Sequence, residues 1–245
     1  MHTIAPAPGQ ETLVASWAAL TQLSPGAKLI RSSTAVAAVF PSWAPLNNAI
    51  MLTAPTATAT AAAGVPEWAL WVPSYATDLD APDGVREVRG MRRDTTTLVM
   101  RALLPRGLRQ HGSVVRTSIG TATRATDEPV PAADIEEPEG IPNLSGWVLL
   151  HDAVAVAGAW GFLQDSDCGI YAVGTVPRWR RHGFARALVE HVLADAQLRG
   201  ARTASLQSTR MGQPLYESLG FQPAGRYQEW AVTELRSSAV ASMTP

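Results

Sequence analysis

The feature that most constrains the fold is an apolar segment that runs directly into a basic, glycine-containing turn and then into a long helix. The apolar segment is CGIYAVGTV (168–176), and Pro177 ends it because proline has no backbone N–H for a strand ladder. Arginine or histidine fills four of the next five positions, and Gly183 opens a run with helical spacing that continues to about Arg199. Such an arrangement binds anions, because free amides and the positive end of the helix dipole point at one place.

The basic turn has several competing interpretations. It could be a solvated arginine-rich loop before an amphipathic helix. A nucleic-acid interface is disfavoured because no basic stripe or aromatic platform extends the patch, and the chain carries a net charge of −1. The sequence contains neither the G-x-x-x-x-G-K-[ST] phosphate loop nor the G-x-G-x-x-G dinucleotide fingerprint. The specific interpretation that remains is a pyrophosphate cradle of turn amides, with Gly183 allowing a close backbone approach.

Composition places the chain among globular proteins. Its 245 residues are 46% hydrophobic and 17% charged, which allows a sizeable core in one or two domains. The single cysteine, Cys168, permits no intramolecular disulfide, and the N-terminal residues show no signal-peptide pattern. The longest uncharged apolar run, AVAVAGAWGFL (153–163), is too short to cross a bilayer. We therefore expect a cytoplasmic protein with no membrane association, and histidine spacing gives no reason to expect a metal.

The sequence from residue 113 onward predicts strands and helices in a clear order. The segments WVLLHD and AVAVAGAWGFLQ predict a hairpin around Asp152, and residues 120–146 predict a long loop that is functional or mobile. Further on come a strand at 168–176, a helix at 183–199, a strand at 203–209, a short helix ended by Gly220 and a last strand at 225–235.

The first half is less regular, and a polar joint separates it from the second. It predicts a helix at 11–23, β-prone segments at 29–40 and 48–54, a short helix at 56–65, a strand at 67–74, and one or two strands that end near Leu104. The segment PRGLRQHG (105–112) carries glycine and polar residues, which is typical of a domain boundary.

Two motifs in order identify a family resemblance. Residues 180–185, RRHGFA, fit the pattern [RQ]-x-x-G-x-[GA], and Tyr216 lies in the later segment PLYESLGF. Together with the helix between them, these motifs resemble the GNAT superfamily of N-acetyltransferases over roughly residues 147–230. The resemblance implies an α/β (α+β) fold, with a mixed, mostly antiparallel sheet flanked by helices. It also implies an acyl-CoA-binding catalytic domain at 113–236. Residues 1–104 lack the turn and are interpreted as a degenerate GNAT-like domain, as in tandem members.

The resemblance also assigns roles to individual residues. In GNAT proteins the turn amides hold the pyrophosphate of acyl-coenzyme A, and the pantetheine arm runs beside the end of the preceding strand. Tyr216 matches the family tyrosine near the sulfur, where it donates a hydrogen bond to the departing thiolate; the alternative is a tyrosine that only packs. The implied cofactor-binding residues are Thr175, Val176, Arg180, Arg181, His182, Gly183 and Ala185.

The implied activity is transfer of acetyl from acetyl-coenzyme A to a primary amine by direct transfer. The acceptor would be a small molecule or a peptide amine, with no nucleic acid, membrane or metal involved, and the protein would be a monomer or homodimer. The alternative is a non-catalytic acyl-coenzyme A sensor, because segment 168–176 lacks the glutamate that many family members place there. The open candidates for a general base are Glu67, His151, Asp152, Asp165 and Asp167.

Three further residues have two interpretations each. Ser208 and Thr209 either contact cofactor or acceptor, or cap the helix that follows. Cys168 begins a buried strand with no partner histidine nearby in sequence, which favours a small core residue over a nucleophile.

Overall fold

The computed structural model describes residues 6–41, 48–52, 69–80, 88, 91–105 and 107–232. The chain forms two compact units. The first unit consists of Met1–Val99, Ser208–Met211 and Pro223–Pro245, and the second of Met100–Gln207 and Gly212–Gln222. The predicted helix at 56–65 and the candidate base Glu67 lie outside the described residues.

Among the described residues, the first unit combines helix α1 (Gln10–Leu20) with a sheet in the order β1-β2-β3-β4-β12-β5. The β3–β4 pair is parallel, and the pairs β1–β2, β2–β3 and β4–β12 are antiparallel. Segment 29–40, predicted as β-prone, forms two strands because the Ser32 hydroxyl accepts the amides of Thr34 and Ala35 and turns the chain. The elements are α1 (Gln10–Leu20), β1 (Lys28–Arg31), β2 (Ala35–Val39), β3 (Asn48–Met51), β4 (Ala69–Ser74), the first part of β5 (Met91–Leu103) and most of β12 (Gln222–Val232).

The second unit is a sheet in the order β5-β11-β10-β9-β8-β6, with β7 paired to β9. Only β10–β11 is parallel among the pairs whose register the structure gives here. The mixed α/β architecture of a mostly antiparallel sheet with helices is confirmed. The elements are β6 (Val114–Thr117), α2 (Ile119–Arg124), β7 (Val130–Pro131), β8 (Leu144–His151), β9 (Val154–Gln164), β10 (Asp167–Thr175), α3 (Phe184–Leu198), β11 (Thr203–Ser208) and α4 (Gln213–Ser218).

The predicted hairpin at residue 152 is confirmed. Strands β8 and β9 pair from Leu144 opposite Phe162 to His151 opposite Val154. Asp152 turns the chain in the left-handed region with φ 51°, as a two-residue hairpin turn requires. Helices α2 and α3 pack on this pair of strands, and α3 buries Leu188, Val189 and Val192.

The prediction of a long loop at 120–146 is wrong. Helix α2 lies there, and its N-terminus is capped by the Ser118 hydroxyl, which accepts the amide of Thr121 at 3.0 Å. Six residues are too short to show helical periodicity, so the sequence pattern does not reveal this helix. It is fixed by packing instead, because Gly158 on β9 and Gly146 on β8 leave room for the backbone of Ala122 and Ser118, where a Cβ would collide.

The compact units divide the chain differently from the predicted boundary. The division falls after Val99, ahead of the polar joint at 105–112, and most of β12 returns to the first unit. The cause is the pairing of β12 with β4, in which Arg226–Ala231 lie opposite Ser74–Ala69. Two strands so distant in sequence carry no local signal of their pairing, so the contiguous domains 1–104 and 113–236 do not coincide with the compact units.

Candidate active site

The site begins where β10 and β11 separate. Their parallel ladder runs from Asp167 opposite Thr203 to Ile170 opposite Leu206. Beyond that pair β10 continues to Thr175 and stays paired to β9 on its other side. A bulge lies there, with a register shift between Tyr171 and Gly174. The edge of β10 that faced β11 is thereby left without that strand, so its backbone can pair with an extended ligand.

The basic turn follows immediately and is held by short-range bonds. The amide of Trp179 donates to the Val176 carbonyl at 2.8 Å, and the amide of Arg180 donates to the Pro177 carbonyl at 3.2 Å. The Arg180 side chain reaches back, and its Nε donates to the Thr175 carbonyl at 3.2 Å. Arg180, predicted as part of the cradle, therefore has its amide engaged within the turn and leaves only its guanidinium edge for a ligand.

The next amides are free to bind an anion. Arg181 and Gly183 adopt left-handed backbone with φ 67° and 83°, and the first helical bond runs from the Ala187 amide to the Gly183 carbonyl at 3.0 Å. Within the described chain, the amides of residues 181–186 donate to no backbone carbonyl. A Cβ on Gly183 would meet nothing within 4 Å. Open space, unpaired amides and the positive end of α3 meet here, which fits the pyrophosphate of acyl-coenzyme A.

The aromatic side chains of the turn pack against one another and against His151. The His182 ring stacks on Phe184 with centroids 5.8 Å apart, and its Nδ1 lies 2.8 Å from the Arg180 carbonyl oxygen. His151, at the end of β8, contacts Trp179 at 4.9 Å and Phe184 at 5.1 Å between ring centroids. His151, a candidate base in the sequence, therefore packs the turn against the hairpin.

Tyr216 is buried on α4, with 8% of its surface exposed. Its ring packs edge-on against Phe221 with centroids 5.9 Å apart, and its hydroxyl makes no hydrogen bond to a described residue. Burial raises the pKa of Tyr216 to about 12, so the hydroxyl keeps its proton at physiological pH. Arg186, in the first turn of α3, donates through Nη1 to the Ser218 hydroxyl at 2.8 Å and so ties α4 to the turn. Sequence reasoning missed Arg186 because this contact spans two helices.

The acidic candidates for a general base at residues 152, 165 and 167 lie outside the separated part of β10. The Asp167 carboxylate accepts the hydroxyls of Thr203 at 2.6 Å and Ser205 at 2.7 Å, where β10 and β11 are still paired. Asp165 lies in a turn with φ 51°, and the side chain of Asp152 is 88% exposed in the hairpin turn. Along the separated part of β10, residues 171–175 include no carboxylate.

The structure also gives the surroundings of Cys168 and Ser208. Burial raises the pKa of the Cys168 thiol to about 12, which keeps it protonated in the core. The Ser208 hydroxyl donates to the Thr209 carbonyl at 2.8 Å, and the N-cap of α4 is Gly212, so Ser208 does not cap that helix. Among the described residues, no group of three or more His, Cys, Asp or Glu side chains could hold a metal ion.

A polar network that the sequence does not reveal runs along α3. Glu190 contacts Arg186 Nε at 3.2 Å and His111 Nε2 at 3.2 Å. The His111 amide donates to Nδ1 of His191 at 2.9 Å, which leaves Nδ1 as an acceptor and the imidazole neutral. Desolvation by burial lowers the pKa of His191 below its usual value. The network fixes the first turns of α3 to the segment that precedes β6.

Comparison with known proteins agrees with this geometry. Residues 142–223 match the family described as Acetyltransferase (GNAT) domain. Over 83 residues the chain is 32% identical to the [ribosomal protein bS18]-alanine N-acetyltransferase of Escherichia coli K12, a match of 32% of this chain. The chain spans 56% of the length of that curated relative.

Two solved structures extend the similarity in fold to most of the chain. A GCN5-related N-acetyltransferase from Kribbella flavida has a TM-score of 0.59 at 15% identity and covers 92% of this chain and 97% of its own. A putative acetyltransferase of the GNAT family from Novosphingobium aromaticivorans has a TM-score of 0.56 at 18% identity, with coverage of 84% and 91%. In the described part of the chain, no helix has the length and apolar character needed to span a membrane. The separated strands, the free turn amides and the family match all fall on one segment of the chain. This segment, residues 142–223, belongs to the GNAT superfamily of acetyltransferases.

Proposed function

We propose that this protein is an N-acetyltransferase that transfers acetyl from acetyl-coenzyme A to a primary amine by direct transfer. The observation that carries the proposal is the row of unpaired amides at residues 181–186, which follows directly on the separated end of β10. Acetyl-coenzyme A supplies the activated acetyl thioester when bound. The turn amides and the N-terminus of α3 bind its pyrophosphate, and the open edge of β10 at Thr175 binds its pantetheine arm. The amide of Val176, also predicted to bind that arm, instead donates to the Val156 carbonyl at 3.0 Å.

Tyr216 stabilises negative charge that develops on sulfur. Its hydroxyl is a donor without a partner among the described residues, in an apolar setting that strengthens a hydrogen bond to charge. Because its pKa is about 12, it donates a hydrogen bond and keeps its proton. The tie between Arg186 and Ser218 fixes the helix that carries Tyr216 beside the turn.

The acceptor amine attacks in its neutral form. The separated part of β10 offers no carboxylate to remove a proton, and Asp167 is engaged by two hydroxyls elsewhere on the strand. We infer that deprotonation occurs through water or in solution before the amine binds, since the described residues along this part of β10 supply no base. The similar Escherichia coli protein is named for acetylation of an alanine in a ribosomal protein, which supports a peptide amine as one acceptor class.

The alternative is an acyl-coenzyme A sensor without catalytic activity, favoured by the same missing carboxylate on β10. A panel of small amines and peptides with free N-termini separates the two functions when coenzyme A thiol release is followed with a thiol reagent. The enzyme releases thiol slowly without acceptor and much faster with one class of amine. Tight binding of acetyl-coenzyme A with no acceleration by any amine would refute the enzyme and support the sensor.

A further inference from the structure

Arg226 on β12 is a wholly buried cation whose hydrogen-bonding capacity is largely unused. Its side chain is 0% exposed, and Nη1 donates to the Asp78 carbonyl at 2.6 Å. The other two nitrogens, Nε and Nη2, are buried and have no hydrogen-bond partner among the described residues. Arginine stays charged in proteins, so burial without an ionic partner or full hydrogen bonding is costly.

The acids nearest to Arg226 in its covering segment do not neutralise it. That segment, 75–80, follows β4 and carries Asp78 and Asp80. The Asp78 carboxylate accepts the Asp80 amide at 2.9 Å, and the Asp80 carboxylate pairs with Arg210 at 2.7 Å. Arg226 receives only a carbonyl oxygen from this segment, although two carboxylates are close in sequence. A purely structural arginine would be expected to take one of them.

The two unused nitrogens are the pair that binds a carboxylate side-on. Nε and Nη2 present two parallel N–H groups on one edge of the guanidinium, which matches the two oxygens of a carboxylate. We propose that Arg226 forms a carboxylate-binding site in the first unit and holds a small carboxylate ligand through Nε and Nη2. The inference does not depend on acetyl transfer.

Segment 75–80 contacts the guanidinium through the Asp78 carbonyl, and in this proposal the ligand enters when that segment moves aside. This segment contains no strand, and Tyr75, Thr77, Asp78 and Asp80 are exposed. Its displacement breaks the bond to the Asp78 carbonyl, the Asp80–Arg210 pair and the bond from the Tyr75 hydroxyl to the Pro6 carbonyl. The ladder between β4 and β12 stays intact, because it ends at Ser74 opposite Arg226.

Thermal unfolding of the full chain with acetate as the probe tests the proposal. In a carboxylate-free buffer, the unfolding temperature should rise saturably with acetate. A rise of about 3 to 6 °C is expected at ten times the Kd, measured against sodium chloride of equal ionic strength. Arg226→Met, which removes the charge and keeps a similar shape, should abolish the rise. Arg210→Met removes an exposed arginine that contacts the same segment, and it should leave the rise unchanged.

The outcomes are distinct. No acetate-specific rise in the wild-type protein, or an equal rise in Arg226→Met, overturns the proposal. A rise with inorganic phosphate and none with acetate overturns the carboxylate assignment. If Arg226→Met does not fold, the Nε–H resonance of Arg226 in the ¹⁵N spectrum of the wild-type protein decides. It should shift with acetate, and a resonance that stays fixed up to saturating acetate refutes the site. Neither result bears on whether the protein binds acetyl-coenzyme A.

Discussion

Tyr216→Phe should lower kcat while leaving acetyl-coenzyme A affinity nearly unchanged. The pKa of Tyr216 is about 12, and an ordinary thiol titrates near 8.5. Moving the tyrosine proton to a thiolate is therefore uphill by about 3.5 pH units, or about 5 kcal/mol, so Tyr216 contributes a hydrogen bond and not a proton. A hydrogen bond to a charged group contributes about 1.5–3 kcal/mol, which corresponds to a loss of about 10- to 160-fold in kcat.

The effect on stability should run the other way. The Tyr216 hydroxyl has no partner among the described residues, so phenylalanine removes it without breaking a hydrogen bond within the described chain. The unfolding temperature of Tyr216→Phe should equal or exceed that of the wild-type protein. Tyr227→Phe is the matched control, because Tyr227 is also buried but its hydroxyl bonds to Gln10 Oε1 at 3.3 Å. It should lose about 1 kcal/mol of stability and keep its turnover.

The assay is single-turnover acetyl transfer, so that the chemical step and not product release is measured, with calorimetric titration of acetyl-coenzyme A for affinity. A drop in kcat without loss of affinity is the signature of an interaction that strengthens in the transition state. Wild-type turnover of Tyr216→Phe in the single-turnover regime would refute the reasoning and leave Tyr216 as a packing residue.

Three further predictions follow from the same geometry. Gly183→Val should weaken acetyl-coenzyme A binding at least tenfold by calorimetry. Gly107 has the same φ of 83° and equally open space, so the control Gly107→Val should lose similar stability and no affinity. Equal losses of affinity in the two variants would remove the turn from the site. The value of log(kcat/KM) should rise with unit slope up to the acceptor amine's own pKa, and a plateau beginning near pH 6–7 would reveal a dedicated base. Burial lowers the pKa of His191, so as the pH falls this histidine is protonated in the unfolded chain before it is protonated in the folded chain. The contribution of neutral His191 to stability is therefore fully present above about pH 6.5 and is lost as the pH falls below that value. Thermal unfolding at pH 7.5 and pH 5 should show this decline, and His191→Asn should reduce it; an unchanged decline would assign it to other groups.

The parts of the site that the sequence predicts are those encoded within one continuous segment. The strand, the turn and the start of α3 lie within residues 168–199, and their spacing alone predicts free amides at a helix N-terminus. The hairpin at Asp152 is equally local, since a two-residue turn connects two apolar runs. The motif PLYESLGF predicts Tyr216, and the structure adds that this residue is buried and that its hydroxyl has no hydrogen-bond partner among the described residues.

The parts that the sequence does not predict depend on contacts between distant segments. Asp167 is indistinguishable in sequence from a solvated turn acid, and only β11 supplies the Thr203 and Ser205 hydroxyls that engage it. Likewise, the contact of Arg186 with Ser218 joins two helices, and helix α2 is fixed by packing on two glycines. Each of these depends on which elements become neighbours, which periodicity does not encode.

The position of β12 has a consequence for the order in which the chain can fold during synthesis. In the first unit β12 lies between β4 and β5, although both of those strands leave the ribosome more than a hundred residues earlier. The second unit has all of its elements up to β11 by residue 208, and its strands pair mostly with sequence neighbours. Most of the first unit is therefore translated first, but its sheet is completed last. Strands β4 and β5 cannot pair with β12, their shared neighbour, until residues 222–232 emerge. Until then their edges are unprotected, and a nascent chain that stalls before residue 222 exposes two strand edges to aggregation.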